Sequence, residues 1–208
     1  RHRTEALVYL EKALDIYKRL KEKGREASVL EAIGDIYYFC GNQSKAMENL
    51  ENALFVHREI GNRLGEANTL RSLGVVKGAQ SEYGEAERLY QQALPVYREI
   101  GNRLGEANVL KSLGDVKRML SEYAEAERLY QQALPIHREI GDRLGEANVL
   151  RSLGDVKMAH SDYAEAGRLY QQALPFYREI GNRLGEANTL QSLSNTTTFT
   201  FDSEQTAN

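Results

Sequence analysis

The amino-acid sequence predicts an all-α fold, an α-solenoid built from stacked antiparallel helix hairpins. The first observation is an internal repeat: Glu-Ala-Asn, followed two residues later by Leu, recurs every 40 residues, from Glu66, Glu106, Glu146 and Glu186. Each period also carries two apolar patterns of helical spacing, and turn-forming residues separate the two patterns. Neither helix of a period could bury its apolar side alone, so successive repeats are expected to stack and share one core.

The third full period illustrates how the first helix of each hairpin is recognised. Leu110, Leu113 and Val116 lie at positions i, i+3 and i+6, on one face of a helix predicted over about 105–120. Ser121 then offers an N-cap for a second helix, whose first turn carries glutamates where the positive end of the helix dipole favours them.

The second helix of that period has a continuous apolar side. This side consists of Tyr123, Ala126, Tyr130, Ala133, Leu134 and Ile140. Gly141 supplies the left-handed residue that ends the helix. Because proline lacks a backbone donor and clashes with the preceding turn, the second helices are expected to bend or be interrupted at Pro95, Pro135 and Pro175.

The repeat spacing predicts an array over 1–194 and a tail without the repeat pattern over 195–208. The predicted parts of the array are a half hairpin at 1–23, full repeats at 27–66, 67–106, 107–146 and 147–186, and a lone helix at 185–194. The tail is expected to be non-helical and to pack over the last helix, and the alternative is that Phe199 and Phe201 dock into a groove.

The repeated residues resemble the signature of the tetratricopeptide repeat family, in which a large apolar residue and a Leu-Gly pair precede alanines and an aromatic. The matching residues are Leu110, Leu113, Gly114, Ala126, Tyr130 and Ala133, and in the first full repeat Leu30, Ile33, Gly34, Tyr37, Ala46 and Ala53. The resemblance implies a right-handed superhelix whose first helices line a concave face. The 40-residue period is similar to that of Pins/LGN-type scaffolds and of the sensor arrays of signalling ATPases. A departure is the lysine after Leu-Gly in place of the family's aromatic, at Lys77, Lys117 and Lys157.

The concave face implied by this resemblance carries three series of polar residues. They are the asparagines Asn68, Asn108, Asn148 and Asn188, the cations Arg71, Lys111 and Arg151, and the aspartates Asp115 and Asp155. One interpretation is that the amides bind the backbone of an extended peptide while the cations select acidic side chains. The other is that the asparagines cap the helix locally and that the charges form ordinary i, i+4 surface pairs.

Two further features bear on the ligand. Tyr38 and Phe39 in the first full repeat are expected to form a hydrophobic pocket at that end. The near identity of the following three repeats predicts a uniform surface, suited to a repetitive or extended ligand.

Composition and motif content argue against other classes of function. The net charge of −3 provides no basic footprint for nucleic acid, and the single cysteine, Cys40, is typical of a reducing cytoplasmic compartment. No apolar run is long enough to span a bilayer. No catalytic cluster, cofactor motif or metal-ligand spacing occurs, so an enzyme is not expected.

The sequence therefore predicts an intracellular scaffold module that binds a protein or an extended peptide, without nucleic acid, membrane, metal or cofactor. The alternative is the ligand-sensing regulatory arm of a larger STAND-type signalling ATPase. Self-association through exposed repeat ends or through the tail is a further expectation.

Overall fold

The computed structural model describes the backbone of residues 2–206 and the side chains of residues 5–198, and these residues form helices joined by short connectors. The prediction of an all-α fold is confirmed, because no strand occurs in the described part of the chain. The helices are α1 (His2–Leu20), α2 (Lys23–Phe39), α3 (Gln43–Glu59), α4 (Arg63–Ala79), α5 (Tyr83–Glu99), α6 (Arg103–Met119), α7 (Tyr123–Glu139), α8 (Arg143–Ala159), α9 (Tyr163–Glu179) and α10 (Arg183–Thr206).

The helices pack in the order of the chain within each of two compact units, residues 1–105 and 106–208. In the first unit every helix packs on the next, and α2 also packs on α4, whereas the described residues of α3 and α5 meet through a side-chain hydrogen bond from Arg58 to Gln92. In the second unit α7 packs on α8, α8 on α9 and α9 on α10, and α8 also touches α10. The first helices of consecutive hairpins therefore lie side by side, as the stacking prediction requires.

A glycine of the first helix sets the distance between the helices of a hairpin. A Cβ atom added to Gly114 would lie 2.5 Å from the ring of Tyr130. A Cβ atom added to Gly154 would lie at the same distance from the ring of Tyr170. Tyr130 and Tyr170 are buried at 0% and 1% exposure. The Leu-Gly pair is thus explained by packing, because only glycine allows a ring of the second helix to approach this closely.

The structure of the connector before α7 shows that Ser121 is not the N-cap of this helix. Ser121 adopts a φ of 61°, and Glu122 is the residue that precedes α7, without a side-chain hydrogen bond to the helix. Ser121 therefore occupies the left-handed position that Gly141, with a φ of 70°, occupies in the next connector. The prediction for Gly141 is confirmed, and the one for Ser121 is wrong because a three-residue connector needs its middle residue in this conformation.

Of the two effects predicted for proline in the second helices, bending or interruption, interruption is wrong. Pro95 lies inside the continuous helix α5, and the prolines of α7 and α9 are equally internal. Their rings lie on the exposed side, where water can bind the carbonyl group that loses its intrahelical donor.

The last helix is longer than its sequence predicts. It was expected to end near 194, with a non-helical tail beyond, whereas α10 continues to Thr206. The hydroxyl groups of Thr196 and Thr197 donate to the carbonyl of Leu193, and Thr196 packs beside Gly167 of α9. The side chains of Phe199 and Phe201 lie outside the described ones.

Within residues 2–206, none of the helices combines the length and the apolar character needed to cross a bilayer.

Candidate peptide-binding surface

The predicted site residues all lie on helices α2, α4, α6, α8 and α10, the first helices of the hairpins. We call their exposed and half-buried side chains the first-helix surface, and describe it separately for each unit. Most of the predicted residues on it are half-buried, while Phe39 and Asn188 are exposed.

Two asparagines of this surface are oriented by tyrosines of the second helices. The hydroxyl group of Tyr97 donates to Oδ1 of Asn68 at 2.7 Å, and that of Tyr177 donates to Oδ1 of Asn148 at 2.7 Å. Both tyrosines are 1% exposed, and burial is the main reason that their pKa values are raised, so each hydroxyl keeps its proton. The asparagine acceptor is therefore occupied.

The amide nitrogens of these asparagines remain available. Nδ2 of Asn68 and Nδ2 of Asn148 meet no acceptor in the described part of the chain, and neither belongs to the buried atoms that lack a partner. Each NH₂ group is thus without a partner in the described part of the chain, and the tyrosine hydrogen bond to the amide oxygen restricts its direction. A fixed donor of this kind can bind the carbonyl group of an incoming backbone.

The other two asparagines lack this support. The residue facing Asn108 at the corresponding position is His137, whose Nδ1 lies 2.9 Å from Oδ2 of Asp142 instead. Asn188 is exposed. Among the described residues neither Asn108 nor Asn188 has a hydrogen-bond partner for its amide.

The cations of the surface lie beside its aspartates. Nζ of Lys111 lies 2.6 Å from Oδ2 of Asp115, and a guanidinium nitrogen of Arg151 lies 3.9 Å from Oδ2 of Asp155. These pairs have the i, i+4 spacing of the second interpretation given above. Exposed pairs of this kind contribute only about 0.3–0.5 kcal/mol, so their main effect is to hold the charges in place.

Tyrosines of the second helices also bind the aspartates. The hydroxyl groups of Tyr130 and Tyr170 donate to Oδ1 of Asp115 and of Asp155, each at 2.8 Å. Burial, reinforced by the adjacent carboxylate, raises the pKa of both tyrosines far above the usual value. Both oxygens of Asp115 are therefore occupied, by Tyr130 and by Lys111.

Arg118 is a member of this cluster that the sequence interpretation missed. Its guanidinium group lies beside the hydroxyl of Tyr130 and within electrostatic range of Asp115 and Asp155. Its Nε atom is buried and has no partner among the described residues. The signal was present in the repeat comparison, because the corresponding residues of the neighbouring repeats are Gly78 and Met158.

Arg71 has a corresponding place in the first unit. It lies near the hydroxyl of Tyr97 and near the carboxylate of Asp35. Burial raises the pKa of Asp35, although the charge of Arg71 and a hydrogen bond from Ser72 oppose this shift. Arg71 is therefore held between an anionic and a neutral oxygen.

Tyr38 and Phe39 line a pocket between α2 and α4. The pocket has a volume of about 160 Å³, and the two rings lie 5.5 Å apart. Its other lining residues are Asp35, Arg71, Ser72, Val75 and Val76. An apolar wall with a few charged groups at its edge suits the side chain of a bound peptide.

The groups of the first-helix surface are amides, charged side chains and an apolar pocket. Over the described residues no group of three or more His, Cys, Asp or Glu side chains is arranged to hold a metal ion. Cys40 is exposed. The arrangement described above combines fixed amide donors, buttressed charges and a pocket, which together can recognise a polypeptide.

Comparison with known proteins identifies relatives of this repeat. The family profile described as Tetratricopeptide repeat matches residues 45–99, 65–139 and 105–179. No curated protein sequence matches at a significant level.

Several solved structures share the fold. BtubC from P. vanneervenii superposes with a TM-score of 0.84 at 18% identity, over 97% of this chain and 85% of that one. A STAND protein with a tetratricopeptide repeat sensor, from Pyrococcus horikoshii, gives a TM-score of 0.77 at 19% identity, over 90% of this chain and 30% of that one. A Rap protein solved in complex with competence and sporulation factor gives a TM-score of 0.68 at 18% identity, over 95% of this chain and 59% of that one. The chain thus spans less than two thirds of the latter two proteins.

Proposed function

Because this chain belongs to the tetratricopeptide repeat family, we propose that its first-helix surface binds an extended peptide or an extended segment of a partner protein. The observation that carries the proposal is the pair of buttressed amides, in which Tyr97 and Tyr177 occupy the oxygens of Asn68 and Asn148 and leave the NH₂ groups without a partner in the described part of the chain. A backbone carbonyl of an extended chain is the complementary group.

The charges and the pocket add side-chain recognition to this backbone contact. Lys111 and Arg151 are held by aspartates and are only half-buried, so each can reach an acidic side chain of the ligand. The pocket between Tyr38 and Val75 can receive an apolar side chain. The Rap protein of similar fold supports this proposal, since it was solved in complex with competence and sporulation factor.

A random-sequence peptide library displayed on phage tests the proposal directly. Peptides selected on this protein would be synthesised with a fluorescent label, and their affinity measured by fluorescence polarisation. The double variant Asn68→Ala, Asn148→Ala should lose at least about tenfold in affinity, or about 1.4 kcal/mol. Its Tm should fall by no more than the loss of the two tyrosine–asparagine hydrogen bonds explains.

The matched control is Gln91→Ala, which removes an exposed amide side chain from the second helix α5. Its affinity for the selected peptides should equal that of the unchanged protein. A double variant that binds as tightly as the control would show that the asparagines are structural. Failure of the library to yield any enriched peptide would overturn the proposed function.

A second candidate function is that of a sensing arm in a larger STAND-type ATPase. It is favoured by the shared fold with the sensor-bearing STAND protein, of which this chain covers 30%. The full-length gene product decides between the two: a nucleotide-binding domain in the same polypeptide would support the sensing arm, and its absence would favour the scaffold.

The proposal also covers compartment and alternative partners. We place the protein in the cytoplasm. We also expect no nucleic-acid binding, because its net charge is −3. Retention on heparin at physiological salt would contradict this. Self-association through exposed apolar residues of the terminal helices, such as Tyr9 at 63% and Leu184 at 72% exposure, would appear as a concentration-dependent mass in analytical ultracentrifugation.

A further inference from the structure

A groove bordered by α1, α2 and α3 sets the first complete hairpin apart from the others. Its volume is about 230 Å³, more than ten times the roughly 10–15 Å³ that one water molecule requires. The lining includes Lys18, Lys23, Glu26, Leu30, Asn52 and Phe55. None of these residues was predicted as a site residue, and none lines the pocket of Tyr38 and Phe39.

The buried carboxylate of this groove, Glu26, is only weakly paired. Its side chain is 11% exposed, and Oε2 lies 4.0 Å from Nζ of Lys23, which is closer to Glu59 at 3.5 Å. Nζ of Lys18 makes no ion pair with any described residue. A carboxylate withdrawn from water is costly unless hydrogen bonds or opposite charges compensate it. Glu26 therefore has the capacity to bind a further cationic donor.

The corresponding glutamates of other hairpins are each bound by two arginines. Glu66 lies 2.9 Å from Arg58 and 2.6 Å from Arg63. The same arrangement recurs at Glu146, with Arg138 at 2.8 Å and Arg143 at 3.4 Å, and at Glu186, with Arg178 at 2.9 Å and Arg183 at 3.1 Å. Lys18 and Lys23 stand 40 positions before Arg58 and Arg63, and an ammonium group lacks the planar fork that matches a carboxylate.

The next groove along the chain shows which group fits between these side chains. There the guanidinium group of Arg58 binds Glu66 and also donates to Oε1 of Gln92 at 3.5 Å. The counterpart of Gln92 is Asn52, which is shorter by one methylene group and makes no side-chain hydrogen bond with the described residues. The groove at Glu26 thus lacks the guanidinium group that fills its counterpart.

The ring of Phe55 adds a second contact for a guanidinium group. This ring is 69% exposed, and proline occupies the same position in α5, α7 and α9. Guanidinium groups pack favourably on aromatic faces. The second unit contains an example, because Arg143 binds Glu146 and also lies 5.2 Å from the centre of the Phe176 ring.

Two acidic residues on α3 favour a cationic ligand. Glu48 lies one helical turn before Asn52, Glu51 lies one turn before Phe55, and both glutamates are exposed. The other second helices carry arginine and glutamine at these positions, namely Arg88, Gln91, Arg128, Gln131, Arg168 and Gln171. The negative charges on this side of α3 offset those of the two lysines in the groove.

We propose that this groove binds the guanidinium group of an arginine side chain from a partner polypeptide. The carboxylate of Glu26 accepts hydrogen bonds from the guanidinium group, the side-chain oxygen of Asn52 accepts another, and the ring of Phe55 packs on its plane. The site is separate from the amides of Asn68 and Asn148, so the inference does not depend on the proposed function.

Two short peptides test the chemistry of the site. Acetyl-Gly-Arg-Gly amide and acetyl-Gly-Lys-Gly amide are titrated into ¹⁵N-labelled protein, and the backbone amide shifts are followed by nuclear magnetic resonance. The arginine peptide should shift the amides around Glu26, Asn52 and Phe55. It should bind at least about fivefold more tightly than the lysine peptide, because only guanidinium offers a planar fork.

The double variant Lys18→Arg, Asn52→Gln fills the groove from within. It rebuilds the pair that Arg58 and Gln92 form in the next groove, so the chain's own guanidinium group should exclude that of the peptide. Its affinity for the arginine peptide should fall at least about tenfold, while its Tm should rise because Glu26 gains a partner. Glu26→Gln, checked for folding by circular dichroism, removes the carboxylate and should weaken binding as well.

The matched control is Lys12→Arg, Asn49→Gln, which makes the same two substitutions on α1 and α3 but outside the lining of the groove. It should bind the arginine peptide as the unchanged protein does. The variant Asn68→Ala, Asn148→Ala should do the same, which separates this site from the first-helix surface.

A loss of binding confined to the groove variants supports the inference. Equal affinity for the two peptides, absence of shifts in the groove, or undiminished binding by Lys18→Arg, Asn52→Gln would overturn it and leave the proposed function untouched. Binding that is lost in Asn68→Ala, Asn148→Ala would place the arginine on the first-helix surface and would overturn it too.

Discussion

Tyr177 of α9 and Asn148 of α8 are joined by a hydrogen bond of 2.7 Å, in which the tyrosine hydroxyl donates to the amide oxygen. The two residues belong to neighbouring helices, and the tyrosine ring fills the space above Gly185 of α10. One side chain thereby contributes to packing and also fixes the direction of a polar group on the first-helix surface. Stability and binding are both expected to depend on it.

Removing only the hydroxyl group separates these two effects. Tyr177→Phe keeps the ring and should lower the free energy of unfolding by about 1 kcal/mol, because one largely buried hydrogen bond is lost. The affinity for selected peptides should fall as well, since the amide of Asn148 is then free to rotate. Urea denaturation and fluorescence polarisation measure the two quantities, and Tyr9→Phe, at an exposed tyrosine of α1, should change neither.

A pH dependence is expected from His137. Burial is the main cause that lowers its pKa, although Asp142 opposes the shift. Because the folded-state pKa lies below the unfolded value of about 6.5, the unfolded chain binds a proton more readily. The stability contributed by neutral His137 is present above that value and is lost as the pH falls through the folded-state pKa.

The double variant His137→Tyr, Asp142→Asn tests this expectation. It reproduces the tyrosine and asparagine found at these two positions in the neighbouring hairpins, as at Tyr97 and Asn102. The difference in free energy of unfolding between pH 7 and pH 5 should shrink, and Asn108 should gain a tyrosine partner. His160→Gln, at an exposed histidine, serves as control and should retain the full dependence; an unchanged dependence in the double variant would contradict the assignment.

The close contact at Gly114 predicts a large effect of one methyl group. Gly114→Ala places a Cβ atom 2.5 Å from the ring of Tyr130, and overpacking of this kind typically costs about 1–3 kcal/mol. Gly78→Ala is the counterpart, because a Cβ atom there meets nothing and alanine favours the helix by about 0.4–1 kcal/mol. Chemical denaturation should therefore show that Gly114→Ala lowers the free energy of unfolding and that Gly78→Ala raises it. Equal changes in the two variants would refute the packing role of Gly114.

The N-terminus of α7 offers a stabilising substitution. Glu122 makes no side-chain hydrogen bond to this helix, whereas Asp162 at the same place before α9 accepts from the backbone of Glu165 at 3.2 Å. Glu122→Asp should therefore raise the free energy of unfolding by about 0.5–1 kcal/mol. It also loses the ion pair between the exposed Glu122 and the half-buried Lys117, which solvent partly screens and which is worth less. A lower Tm than that of the unchanged protein would contradict the prediction.

The sequence predicted the helices and their core well, because periodic apolar residues report burial directly. Leu110, Leu113 and Tyr130 are buried as their spacing indicates. Ser121 was misread because serine is common both as a helix cap and in a connector, and only the backbone conformation distinguishes the two roles. The end of the last helix was missed because threonine is a weak signal for either state.

The candidate site was only partly accessible from the sequence. Spacing along one helix brought the asparagines and the cations to one surface, but it could not reveal that Tyr97 reaches Asn68 from 29 residues away. Arg118 gives no repeat signal, because the corresponding residues of the neighbouring hairpins are Gly78 and Met158. Contacts between helices depend on packing geometry, which a pattern within one helix does not contain.

The glycine and tyrosine that set the distance between paired helices have an evolutionary consequence. In α6 and α7 they occupy positions distinct from those of Lys111 and Arg118, so the residues that set the helix spacing can stay the same while residues of the first-helix surface change. Unequal recombination between such copies could add, remove or shuffle whole hairpins and still yield products that fold. New combinations of surface residues would then arise by exchange of existing modules, without a preceding loss of stability.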